Sequence, residues 1–90
     1  MAKAVVDPDE LRRFAEELKR MNNDLEQHMN RVRARMQHLS QTWRDQEQVK
    51  FAEQFEETMK VLNRFVQTSN EHIPFLLRKA ERIDEYLQQR

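Results

Sequence analysis

The chain contains no cysteine and no glycine, and only two prolines. Without cysteine there is no disulfide, no thiol nucleophile and no thiolate-bound metal. Without glycine there is no glycine-rich loop to cradle a phosphate, and an architecture of many tight turns between strands loses its usual turn residue. Neither sign of charge dominates. Sixteen Lys and Arg face sixteen Asp and Glu, so the net charge is zero, which argues against a general nucleic-acid or anionic-membrane binder. No apolar run approaches the ~20 residues needed to span a bilayer, so no membrane insertion is expected. The segment Met1–Val6 is shorter than the apolar core of a secretory signal peptide, so any export is expected to use another route.

What is present is 36% charged and 38% hydrophobic residues in one chain of 90, the profile of a single all-α domain built from long amphipathic helices. The first helix has a well-marked start. Asp7 can cap the free N–H groups, Pro8 suits the first helical position, and Glu10 can close a capping box. Val6 can staple onto Leu11. From there an apolar stripe reads Leu11, Phe14, Leu18, Met21, Leu25, Met29, Val32, Met36, Leu39, Trp43, with Ala15 on its edge. A second stripe reads Phe51, Phe55, Met59, Leu62, Val66, Ser69, Ile73, Leu76, Ala80, Ile83, Leu87. Val61, Phe65, Phe75 and Tyr86 widen it on one side, and Ala52 and Leu77 on the other. The second helix is therefore apolar over about half its circumference, more than one narrow partner helix covers.

Between the stripes, five polar residues run from Arg44 to Gln48, directly after Trp43. This places a bend at about 41–46 between helix 1 (about 8–40) and helix 2 (about 47–88). The rival is one very long helix, since neither glycine nor proline interrupts residues 10–73. Pro74 removes one helix hydrogen bond, but the stripe keeps its phase through it. A kinked continuous helix is expected, with a break at Thr68-Ser69-Asn70 and a third helix as the alternative. Charge order favours antiparallel neighbours. Arg31, Arg33 and Arg35 would meet Asp45, Glu47, Glu53, Glu56 and Glu57, and Glu10, Glu16 and Glu17 would meet Arg78, Lys79 and Arg82. Two helices alone make a poor core for a chain without disulfide or metal. The expected architecture is thus an antiparallel helix-turn-helix hairpin that dimerises into a four-helix bundle. The expected dimer face is Phe55, Met59, Leu62, Phe65, Val66, Ile73, Phe75 and Leu76.

No catalytic, cofactor-binding or metal-ligating constellation emerges. His28, His38 and His72 share no metal-ligand spacing, Ser40 and Ser69 have no nucleophile context, and alternating Arg31, Arg33 and Arg35 point to different sides of a helix. No enzymatic activity and no cofactor are expected.

Asp7-Pro8-Asp9-Glu10-Leu11-Arg12-Arg13-Phe14-Ala15 at the start, Trp43 at a helix–helix bend and then Phe51 and Phe55 resemble the WXG family. These are the early-secreted-antigen-like small proteins of bacterial type VII (ESX) secretion. The resemblance implies a helical hairpin, homo- or heterodimeric four-helix bundles, export without a cleaved signal peptide and no enzymatic activity. Two positions depart from the family pattern. The family bend reads Trp-x-Gly, whereas this chain has Trp43-Arg44-Asp45. The family's C-terminal signal is Tyr-x-x-x-Asp/Glu, whereas Tyr86 is followed four residues on by Arg90. Asp45 can still cap the second helix. The reading is a non-enzymatic secretion-system substrate or partner subunit that pairs with itself or with a WXG-like sister protein. It is expected in the cytoplasm, or secreted without a cleaved signal peptide. The alternative is a cytoplasmic coiled-coil adaptor binding a helical partner through its second helix. A helical nucleic-acid binder would rest on the Arg31–Arg35 cluster alone.

Overall fold

A computed structural model of the chain describes residues 6–88. Two helices make up the fold, α1 (Pro8–Leu39) and α2 (Gln46–Gln88), with no strand among the described residues. They form an antiparallel hairpin measuring 69 × 20 × 15 Å. Cross-helix contacts fix the direction: Arg12 meets Asp84, Asn22 meets Asn70, and Ser40 meets Gln48. Numbers rise on one helix as they fall on the other, which excludes the single long helix.

The start of α1 follows from its sequence. Asp7 is extended at φ −69°, ψ 121°, and its Oδ1 accepts the Asp9 N–H at 2.9 Å. Pro8 opens the helix, where its missing N–H costs nothing. The capping box, however, does not close. Glu10 turns forward to the Arg13 guanidinium at 2.7 Å instead of back to the Asp7 N–H, because an ion pair one turn ahead competes for the same carboxylate. At the other end the Ser40 hydroxyl and N–H both donate to the Met36 carbonyl at 3.0 Å, which satisfies an orphan acceptor without glycine. α2 runs for 43 residues straight through Pro74.

The inner seam differs from the apolar stripes. Its most buried members on α1 are Ala15, Asn22 and Met29, seven residues apart. On α2 they are Met59, Val66, Ser69 and Ala80. A seven-residue repeat is the signature of two helices that coil around each other. Phe14 and Met21, which belong to the stripe by spacing, are 57% and 45% exposed, while Ala15, on its edge, is buried. The physical reason is size. Ala15 and the fully buried Ala80 let the helix backbones approach, and the hairpin closes on the small-residue edge of each stripe. Asn22, at 1% exposure, donates from Nδ2 to Asn70 Oδ1 at 3.0 Å across the seam, and its own Oδ1 is buried without a partner.

The expected cross-helix charge pairs do not form. Among the described residues, one salt bridge joins the helices, between Arg12 and Asp84. The hydrogen bond from Asp84 pushes the Arg12 guanidinium above its ordinary pKa. The others, Arg12–Asp9, Arg13–Glu10 and Arg20–Glu17, are within one turn of α1. Arg31 reaches the His28 ring nitrogen at 2.7 Å rather than α2. Since α1 turns its Ala15–Asn22–Met29 line toward α2, a side chain at position 31 projects from the opposite flank.

Candidate functional site

Two features stand out: the bend, and an exposed apolar face that both helices share. The bend begins where the Trp43 N–H donates to the Leu39 carbonyl at 2.9 Å, and the Thr42 hydroxyl donates to the same oxygen at 3.3 Å. Asp45 then caps α2, its Oδ1 accepting the Gln48 N–H at 3.0 Å. The Gln48 side chain donates to the Ser40 hydroxyl at 3.0 Å, which ties the first turn of α2 to the last residue of the α1 cap. The Trp43 indole is half-buried and lies against Phe51, ring centroids 5.7 Å apart and tilted by 40°. Phe51 in turn stacks on Phe55 at 6.3 Å. The three rings form a ladder that leads from the bend along α2. Arg44 and Asp45 are exposed beside it.

The apolar face lies on one flank of the hairpin. Near the open end, Phe14, Leu18 and Met21 of α1 and Phe65 and Ser69 of α2 line a groove of about 680 Å³. Nearer the bend, Val32 and Leu39 of α1 and Phe51 and Phe55 of α2 line a second of about 210 Å³. Phe51 and Phe65 are fourteen residues apart, four turns of α2, so both grooves open on the same flank. Glu17, Arg20 and Asp24 border the first groove and Arg35 borders the second. A third concavity, over Val49 and Ala52, is formed by α2 alone and has no second wall.

The residues expected to form a dimer face divide into three groups. Met59 and Val66 are buried between α1 and α2. Phe55, Leu62, Ile73 and Leu76 are half-buried at the border. Phe65 and Phe75 are exposed. The exposed apolar face also takes in Phe14, Met21, Val32 and Leu39 of α1, all of them more than two-fifths exposed, which the expectation of a face on α2 did not include. The seven-residue spacing of Ala15, Asn22 and Met29 was the available signal. Tyr86 is 73% exposed near the end of α2, and Arg90 lies outside the described residues. Among the described residues no three His, Cys, Asp or Glu come together as a metal site, and no helix is long and apolar enough to cross a membrane.

The family profile WXG100, described as proteins of 100 residues with WXG, matches residues 4–86. The chain belongs to the WXG100 family. This is a family of type VII secretion substrates. No curated protein matches the sequence. Among solved structures, the WXG100 hairpin is similar to a mutant of EsxB, a secreted protein from Bacillus anthracis str. Sterne. The TM-score is 0.75 at 22% identity, over 100% of this chain and 99% of that one. The likeness extends to the whole hairpin.

Proposed function

We propose that this chain is a non-enzymatic subunit of a type VII secretion system that works by protein–protein association, as a substrate or as the partner of one. The observation that carries the reading is the exposed apolar face spanning both helices. Among the described residues the hairpin buries only five apolar side chains: Ala15, Met29, Met59, Val66 and Ala80. At ~2 kcal/mol for a large side chain and less for alanine, these fall far short of the ~1 kcal/mol or more per residue that ordering the backbone costs. Meanwhile Phe14, Met21, Phe51 and Phe65 remain in water. Covering that face with another hairpin makes a four-helix bundle and supplies the missing core.

Export follows from the same association. The WXG100 resemblance implies a recognition feature that joins the bend of one hairpin to the C-terminal Tyr motif of its partner. In this chain the acid of that motif is Arg90, and a receptor that attracts an acid repels an arginine. The protein is therefore expected to be poorly exported as a homodimer, and to stay in the cytoplasm or leave with a partner that supplies an intact signal. Light scattering on the purified chain at micromolar concentration tests the association, and a stable folded monomer would refute it. Assays of medium and cytosol for the parent protein and the Arg90→Glu variant, with and without WXG100 sister genes, test the export step. Abundant parent protein in the medium without any sister gene would overturn it.

A further inference from the structure

We propose that the hairpin carries a built-in breaking point at the level of Asn22 and Asn70, across which its open end separates from its bend half as one cooperative unit. The segments that come apart are 8–21 of α1 and 71–88 of α2. Two observations meet at this level. The first lies in the seam. Asn22 is fully buried and its Oδ1 has no partner, and Ser69, next to Asn70, is buried too. A polar layer thus interrupts the apolar contact between the helices. The second lies in the helices themselves. The Asn22–Asn70 hydrogen bond sets the register, and one step forward on α1 is one step back on α2. Asn22-Asn23-Asp24 is therefore level with Thr68-Ser69-Asn70. All six are poor helix formers, because their short polar side chains compete for backbone groups or lose rotamer freedom. Pro74 adds to this. It has no N–H to give the Asn70 carbonyl, so α2 lacks a hydrogen bond beside the same layer.

The two sides of the layer are held unequally. Toward the bend, Met29, Met59 and Val66 are buried, the Trp43–Phe51–Phe55 ladder packs the turn, and the chain itself joins the helices. Toward the open end, the buried apolar side chains among the described residues are Ala15 and Ala80, and the Arg12–Asp84 salt bridge crosses between the helices. Burial stabilises in proportion to apolar area, so two alanines contribute least. The same balance sets where the break stops. Parting the helices as far as Asn22 lets water reach an acceptor that is buried without a partner, which offsets part of the cost of opening. Parting them one heptad further exposes Met29 and Val66 and relieves no such atom. Helices as short as the two released segments are marginal in water, so both lose their backbone hydrogen bonds together. The opened state bares the inner faces of both helices at the open end while the bend half keeps its fold.

The test is hydrogen exchange of the full chain, followed amide by amide by NMR at rising sub-denaturing urea. The amides of residues 10–20 and 75–86 are expected to exchange through one shared opening. Their protection is expected to be lower than that of residues 25–38 and 50–66 by about tenfold or more, with the step at the polar layer. Arg12→Ala removes the bridge to Asp84. It is expected to speed exchange of the whole open end, on both helices, by about threefold and to leave the bend half unchanged. Asn22→Leu combined with Pro74→Ala removes the orphan acceptor and restores the missing donor, and is expected to erase the step. Protection that climbs smoothly from the chain ends, with Arg12→Ala felt only by its neighbours, would mean ordinary fraying and overturn the breaking point. A single level of protection throughout the parent hairpin, or a step that survives the double variant at full height, would overturn it as well.

Discussion

The inner seam of the hairpin and its outer face are built from different residues. At the centre of the seam stand Ala15, Asn22, Ser69 and Ala80, which are small or polar, with Met29, Met59 and Val66 between them. The outer face carries Phe14, Met21, Val32, Leu39, Phe51 and Phe65. A protein that folded for itself alone would place these the other way round, since the larger apolar side chains gain more from burial. The seam is instead designed for close approach and the outer face for hydrophobic gain. The difference teaches that the hairpin shape is set by small and polar residues within one chain, while the larger apolar side chains are left on the outer face, where the proposed association would cover them.

The comparison breaks most clearly at the outer face. Phe65→Asp places an unpaired carboxylate in the middle of the larger groove. It is expected to weaken association at least a hundredfold, about 3 kcal/mol, and to take much of the helical circular dichroism with it at low micromolar concentration. A variant that stays helical and dimeric would move the association surface elsewhere. Pro74→Ala touches neither region directly, because Pro74 is exposed. It gives the Asn70 carbonyl its donor back, and up to ~3 kcal/mol of stabilisation is expected in urea unfolding; a loss of stability would show that the proline shapes α2 for packing. Trp43→Ala tests the bend, where the indole is only half-buried against Phe51. About half of the ~3–5 kcal/mol seen for fully buried aromatics is expected from thermal or urea melts. The smallest effect is expected in the seam. Asn22→Leu removes a buried carbonyl without a partner and leaves exposed Asn70 to water, so a gain of about 1 kcal/mol is expected. The same variant should broaden the amide NMR spectrum, because the polar contact that distinguishes one helix register from its neighbours is gone. Sharp spectra would show that Ala15 and Ala80 hold the register without it.

Much of this fold was legible in the residues. Asp7-Pro8 marked the start of α1, and the polar run after Trp43 marked the bend, because both rest on local chemistry that no tertiary contact overrides. The division between seam and outer face was not legible in the same way. An apolar stripe that alternates three and four residues contains two adjacent seven-residue lines, and hydrophobicity favours the one with Phe14 and Met21. What decided for the other was the room that Ala15 and Ala80 leave for the backbones, a property of two helices together. Asn22 was hidden for a related reason: an asparagine between Met21 and Asn23 reads as surface until its partner, Asn70, is known. The charge order was legible, but the cross-helix pairs expected from it do not form among the described residues. Arg31 sits on the flank away from α2 and bonds to His28 instead.

The bend has a further consequence. None of the described residues has a positive φ, so the chain reverses direction using only backbone conformations open to every L-amino acid. Asp45 serves as an ordinary helix cap, and nothing in the turn demands a residue without a Cβ. Any residue is thus sterically allowed at that position, and what Asp45 adds is the cap on α2 rather than a special backbone conformation. What the stretch Trp43-Arg44-Asp45 supplies to the reversal is side-chain contact, the indole against Phe51 and the carboxylate on Gln48, and no special backbone geometry.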